Sequence, residues 1–245
     1  MPIDLNADVG EGVGDDEGVL PLVSSANIAC GFHAGNPGLM RSTVQLARRH
    51  GVAIGAHPGF QDLEGFGRRE MQISSAELEN LVAYQIGALA GVAAADGVRL
   101  SHVKPHGALY NMAARDEAMA GAIARAVRAV DPSLVLFGLS GSQLIAAGER
   151  AGLRVASEVF ADRGYRADGS LAPRGTPGAL MTDVADVARR AVGMATGERV
   201  TCVDGAAVTV HADTICIHGD TPGAAALARA VREALTAAGI QVTAP

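Results

Sequence analysis

Short apolar or β-branched runs alternate with longer Ala-rich stretches of helical period along this 245-residue chain, and that alternation constrains the fold more than any other feature. The spacing predicts strands over 3–9, 26–31, 53–57, 100–104, 134–138, 154–160 and 214–218. Helices are expected over 37–50, 75–95, 116–130, 141–151, 182–195 and 223–238. Asn36 before Pro37, Ser74 with Glu77, and Thr221 before Pro222 are helix-start signals. Gly51, Gly97 and Gly152 stand where helix ends need a left-handed residue. In VTCVDGAAVTV, residues 200–210, Asp204-Gly205 between two β-branched runs reads as an inserted hairpin. No low-complexity linker divides the rest, so the expectation is one α/β domain over 1–245 with a parallel sheet.

A parallel sheet can close into a barrel or stay open and doubly wound. Open sheets are covered by helices on both faces, so their strands should be apolar throughout. The first strand is not: in IDLNADV, Ile3, Leu5, Ala7 and Val9 share one face while Asp4, Asn6 and Asp8 share the other. A polar face fits the enclosed interior of a (β/α) barrel, whose C-terminal mouth hosts active sites. Asp4, early on its strand, is expected to pair with a neighbouring lysine or arginine.

The same parity test gathers polar groups from the other strands. Asn27 leads in phase towards His33; Gly55 and His57 share a face, as do His102, Lys104 and His106; Glu158 opposes Val155 and Val159; Cys216, His218 and Asp220 oppose Ile215 and Ile217. Five of the seven histidines (33, 57, 102, 106 and 218) thus fall at strand ends. Ionisable groups crowded in an enclosed mouth acquire the shifted pKa values that general acid and base catalysis needs. A lysine between Val103 and Pro105 must be paired with a carboxylate or carry chemistry, because unpaired burial is costly. Arg68 and Arg69 in GFQDLEGFGRRE, and Arg163, Arg166 and Arg174 on a long loop from 162 to 179, suit recognition of a carboxylate or phosphate.

Composition removes other classes. A net charge of -6, with no long basic run, leaves no footprint for nucleic acid or an anionic membrane. The N-terminus has no signal-peptide character, no run of eighteen apolar residues follows, and the expected location is the cytoplasm. Three scattered cysteines exclude a disulfide framework and a zinc knuckle; Cys30 is either a nucleophile or a small buried thiol. Walker, dinucleotide-binding, G-x-S-x-G and H-E-x-x-H motifs are all missing.

DLNADVGEG, ANIACGFHAGNP, GAHPGFQD, VKPHGALYN, EVFADRGY and ICIHGDTPGA, in that order, resemble the LamB/YcsF family over essentially the whole chain. Asn36, where Asp is frequent in that family, is a mild departure at a helix cap. The resemblance implies a seven-stranded barrel of the glycoside hydrolase/deacetylase type. It also implies the reaction of characterised members, which serve as the A component of bacterial 5-oxoprolinase: 5-oxo-L-proline, ATP (with its Mg) and water give L-glutamate, ADP and phosphate, with subunits B and C as partners. On that reading Asp8 or Glu158 orients or deprotonates water, Lys104 stabilises negative charge and His106 carries a proton to the leaving nitrogen. Asn6, Asn27, Arg163, Arg166 and Arg174 would bind substrate. Two other readings stand beside it: a metal-dependent amidohydrolase or deacetylase with a divalent ion on Asp8, His33 and His57, and a non-catalytic scaffold subunit.

Overall fold

A computed structural model describes residues 2–217 and 223–245. The expected inward positions of His218 and Asp220, and the helix start at Thr221-Pro222, lie outside the described residues. The strands are β1 (Asp4–Val9), β2 (Ser25–Ala29), β3 (Ala53–His57), β4 (His102–Val103), β5 (Val135–Leu139), β6 (Arg154–Phe160), β7 (Val200–Thr201), β8 (Ala207–Val208) and β9 (Thr214–Ile217). Seven of them close into a parallel barrel in the order β1-β2-β3-β4-β5-β6-β9. β7 and β8 pair antiparallel outside the barrel, around Asp204-Gly205.

Around the barrel lie α1 (Asp16–Val19), α2 (Pro37–Arg49), α3 (Ser75–Ala95), α4 (Gly107–Ala113), α5 (Glu117–Val130), α6 (Gln143–Arg150), α7 (Val184–Ala195) and α8 (Ala224–Ala237). The caps read from sequence are present: Asn36 accepts from the Leu39 N–H, and Ser74 and Glu77 form a reciprocal capping box. The four-residue α1 and seven-residue α4 are too short to show a helical period, and the expected strand and helix list omits both. α3 is long and apolar enough to cross a membrane by length and composition, yet it packs against α2, α5 and β3 in the helix ring.

The main core lies between strands and helices. Outward-facing Leu5, Ala7, Ile28, Ile54, Val103, Leu136, Val159 and Ile215 meet Val44, Val82, Ile86, Ile123, Val127, Val187 and Val231. Each fully buried Val, Leu or Ile contributes roughly 1.5–3 kcal/mol relative to exposure. The barrel interior is divided instead. Val135, Phe137 and Ala156 form a small apolar cluster on the β5–β6 side, whereas Asp4, Asn6, Ser25, Asn27, His102, Lys104 and Thr214 fill the other side, all buried.

That polar half is satisfied from the bottom upward. Asp4 accepts hydroxyl bonds from Ser24 (2.7 Å), Ser25 (2.7 Å) and Thr214 (2.6 Å). The expected Lys or Arg partner is therefore replaced by three hydroxyls, and burial holds the Asp4 pKa above its usual value. His102 stacks on Phe137 at 4.3 Å and bonds Asn27 Oδ1 at 2.8 Å. Its ring occupies the space beside Gly55, where a Cβ would sit 2.2 Å from the imidazole, so glycine there makes room for the histidine. Pro105 ends β4 after two residues, but the Lys104 N–H still bonds Ala56 O (2.9 Å) and the His106 N–H bonds Pro58 O (2.8 Å). The alternation of His102, Lys104 and His106 is thereby carried past the formal end of the strand.

Candidate active site

Lys104 sits at the centre of the upper barrel. Its Nζ lies 2.8 Å from Glu158 Oε1, 2.9 Å from Asp8 Oδ1, 3.2 Å from Asn6 Oδ1 and 3.1 Å from Cys216 Sγ. Burial alone would lower the lysine pKa; Asp8, Cys216 and Glu158 outweigh it and raise it well above the usual value. Lys104 is therefore a fixed cation. Asn6 donates to Glu158 Oε1 and Thr214, and Asn27 donates to Asn6 Oδ1 and to Asp8 Oδ1. Asn6 and Asn27, expected to bind substrate, are fully buried and do not line the cavity, and their amides bond within this network. Tyr110 flanks the cluster; burial, with Glu158 adding to it, raises its hydroxyl pKa well above the usual value.

A second cluster stands beside the first, across Asp8. His33 and His106 stack almost parallel (3.8 Å between ring centres, 4° between planes), and His57 meets both edge-on. Glu11 Oε1 lies 3.2 Å from His33 Nε2 and 3.4 Å from His106 Nδ1. His57 Nε2 lies 3.0 Å from His106 Nδ1 and 3.5 Å from Asp8 Oδ2. Burial, followed by the neighbouring rings, pushes His33 far below the ordinary imidazole value and His106 down to about 3. The four residues Glu11, His33, His57 and His106 place one donor atom each within 4.8 Å of the others, and such a group can hold a metal ion. Of the expected Asp8–His33–His57 set, the two histidines belong to this group; Asp8 Oδ1 is engaged by Lys104 and Asn27, and Glu11 supplies the carboxylate.

Backbone geometry fixes the histidines. Phe66 has a left-handed φ of 55°, which aims its carbonyl at His106 Nε2, 2.8 Å away. A bulky residue in that region costs roughly 1–2 kcal/mol, a strain held by the surrounding loop. Gly67 follows with φ 63° against both rings; a Cβ there would lie 2.7 Å from His33 Cβ and 2.8 Å from His106 Cδ2.

Asp8, Glu11, His57, Lys104, His106, Tyr110 and Phe160 line a cavity of about 390 Å³, with Arg68, Arg163 and Arg174 towards its rim. The size falls in the roughly 300–1,000 Å³ range of small-molecule sites. Of the expected anion-binding arginines, Arg174 and Arg68 border the cavity, whereas Arg69 is tied to Asp62. Arg163 also reaches the wall, but its guanidinium donates to Ala172 O (2.7 Å) and Ala179 O (3.2 Å), which fastens the 162–179 loop. Arg166, also expected to bind substrate, is exposed and does not line the cavity. Cys30 is buried and its thiol pKa is pushed up to about 12 by burial, so it is the small buried thiol and not a nucleophile.

Glu11 and Tyr110 have no counterpart in the sequence expectation. Strand alternation stops at Gly10, whose φ of 69° turns the chain, so parity could not place a residue beyond it. Tyr110 comes from α4, the short helix that follows Pro105.

The sequence pattern of the LamB/YcsF family matches residues 3–245. The chain is 59% identical to the 5-oxoprolinase A component of Tolumonas auensis over 99% of this chain and 98% of that one. The crystal structure of a lactam utilization protein from Thermus thermophilus superposes with a TM-score of 0.94, at 53% identity and with 100% of each chain covered. A T48 deacetylase shares the barrel alone, with a TM-score of 0.50 at 14% identity over 99% of this chain and 87% of that one.

Proposed function

Because the chain belongs to the LamB/YcsF family, we propose that it is the A component of an ATP-dependent 5-oxoprolinase and that 5-oxo-L-proline is opened to L-glutamate in its barrel mouth. The observation that carries this reading is the Asp8–Lys104–Glu158 cluster at the floor of a cavity of small-molecule size with Arg174 on the rim. The full-length likeness to the Tolumonas auensis protein supports the choice of substrate.

A lactam carbonyl resists attack by water, and phosphorylation of its oxygen by ATP makes the ring carbon electrophilic. The chain has no phosphate-binding Gly-rich loop of the Walker type, so phosphoryl transfer is assigned to the assembly with subunits B and C, in the cytoplasm where ATP is available. Asp8 is the carboxylate of the Lys104 cluster that borders the cavity; Glu158 is fully buried. Asp8 takes a proton from the attacking water and returns it to the ring nitrogen as the C–N bond breaks, which leaves γ-glutamyl phosphate; a second water then hydrolyses that acyl phosphate to L-glutamate and phosphate. Lys104 keeps Asp8 ionised and aimed. With four partners already around Nζ, it acts through Asp8 and not as a direct donor to the substrate oxygen. His106 has one ring nitrogen on Phe66 O and the other in the histidine cluster, so the expected proton transfer to the leaving nitrogen passes to Asp8. Arg174 meets the substrate carboxylate. A second reading, metal-assisted amide hydrolysis, is favoured by the convergence of Glu11, His33, His57 and His106.

The test is reconstitution with subunits B and C, with glutamate formation and phosphate release measured separately. Asp8→Asn should assemble normally and stop glutamate formation. Full glutamate production by that complex would remove the catalytic assignment and leave a scaffold role.

A further inference from the structure

His57 and His106 meet in a way that neutral imidazoles alone do not satisfy. His57 Nδ1 lies 2.7 Å from the carbonyl of Lys104, and His106 Nε2 lies 2.8 Å from the carbonyl of Phe66. A carbonyl only accepts, so each of those nitrogens carries the proton. The remaining nitrogens, His57 Nε2 and His106 Nδ1, are then bare lone pairs, and they face each other at 3.0 Å. Glu11 Oε1 adds another electron-rich atom 3.4 Å from His106 Nδ1, and His33 Nε2 lies 3.2 Å from the same oxygen. The buried ammonium beside them, Lys104, is already shared by Asp8 and Glu158.

We propose that this point is a divalent metal site in which Glu11, His33, His57 and His106 ligate a zinc-class ion (Zn²⁺, Co²⁺ or Ni²⁺), with Asp8 beside the ion and not on it. A dication satisfies the facing lone pairs and the Glu11 carboxylate oxygen beside them. Donor atoms at tetrahedral corners around zinc stand roughly 3.4 Å apart, given bonds of about 2.0–2.1 Å. The three edges at 3.0, 3.2 and 3.4 Å match that spacing. The outer hydrogen bonds of His57 and His106 to backbone carbonyls are the contacts that fix the tautomer and orientation of metal-bound imidazoles. Three imidazoles and one carboxylate favour late first-row ions over Mg²⁺ or Ca²⁺, which take oxygen ligands. Glu11, His57 and His106 also line the cavity, so a bound ion faces the same space as Asp8. The site stands independently of the substrate assignment, because its test does not require turnover.

The experiment is titration of Co²⁺ and Zn²⁺ into the chelator-treated full chain, followed by calorimetry and by the visible absorption of cobalt. A single ion per chain with the strong bands of a four- or five-coordinate site is expected. X-ray absorption at the metal edge of the unmodified chain should show three imidazoles, and it needs no variant. Glu11→Gln and His106→Asn should each weaken binding on the order of 100-fold, with circular dichroism confirming the fold. Asp8→Asn should keep the affinity of the parent. No saturable binding to the parent, fewer than two imidazoles at the edge, or unchanged affinity in the folded Glu11→Gln and His106→Asn chains would overturn the proposal and leave a shared proton between His57 and His106. Loss of binding in Asp8→Asn alone would overturn the ligand set.

Discussion

Two polar clusters stand side by side in one barrel mouth and solve burial in opposite ways. Around Lys104, opposite charges are already paired: one ammonium lies within 2.9 Å of both Asp8 and Glu158. Around Glu11, His33, His57 and His106, acceptors and lone pairs converge, with two imidazole nitrogens facing each other at 3.0 Å. The first cluster can therefore hold charge in place, whereas the second is arranged to receive it. Asp8 belongs to the edge of both, 2.9 Å from Lys104 Nζ and 3.5 Å from His57 Nε2.

The largest effect should come from the residue shared between them. Asp8→Asn is expected to lower glutamate formation in the reconstituted complex by about 10²–10⁴-fold, the usual contribution of a positioned acid or base. Retained turnover would break the division of labour between the clusters. Lys104→Met should next cost about 3–5 kcal/mol of stability in urea unfolding, because it strands two carboxylates in the interior. Adding Glu158→Gln to it should recover part of that loss; no recovery would show that the pairing is not what the lysine contributes.

Acidification tests the polar half as a folded unit. Burial, then Lys104 and His57, lower the His102 pKa from 6.5 to about 3, with Asp8 acting the other way. Between those values the unfolded chain binds a proton that the folded chain does not. This contribution to stability is complete above about 6.5 and is lost as pH falls towards about 3. Urea midpoints should fall over that window, and more gently in a His102→Gln chain; parallel curves would place the acid sensitivity elsewhere. The smallest effect is reserved for the rim. Arg174→Ala should raise KM by roughly 10-fold with little change in kcat, and Arg166→Ala should leave both near the parent, because of these two Arg174 alone borders the cavity.

Both clusters were partly legible in the chain. Asp8, Lys104 and Glu158 lie on regular strands or one step beyond, where strict alternation reports direction. Glu11 lies past a left-handed glycine, and Arg163, Arg166 and Arg174 lie on an irregular loop, where sequence spacing carries no direction. The loop arginines accordingly separate into one that fastens backbone, one exposed, and one on the rim. Likewise Asn6 and Asn27 face inward as alternation requires, but depth within the barrel, which alternation does not report, leaves both buried and hydrogen-bonded within the network around Asp8.

By itself the sequence determined the alternating β/α order, the helix caps at Asn36 and Ser74, and the polar inner face of β1, because these depend on spacing and local hydrogen bonding. Tertiary structure alone decided that Lys104 is saturated by four partners, that Glu11 and not Asp8 completes the histidine cluster, and that two imidazole lone pairs face each other. Those outcomes depend on distances between different strands and loops, which are set only when the seventh strand closes the barrel.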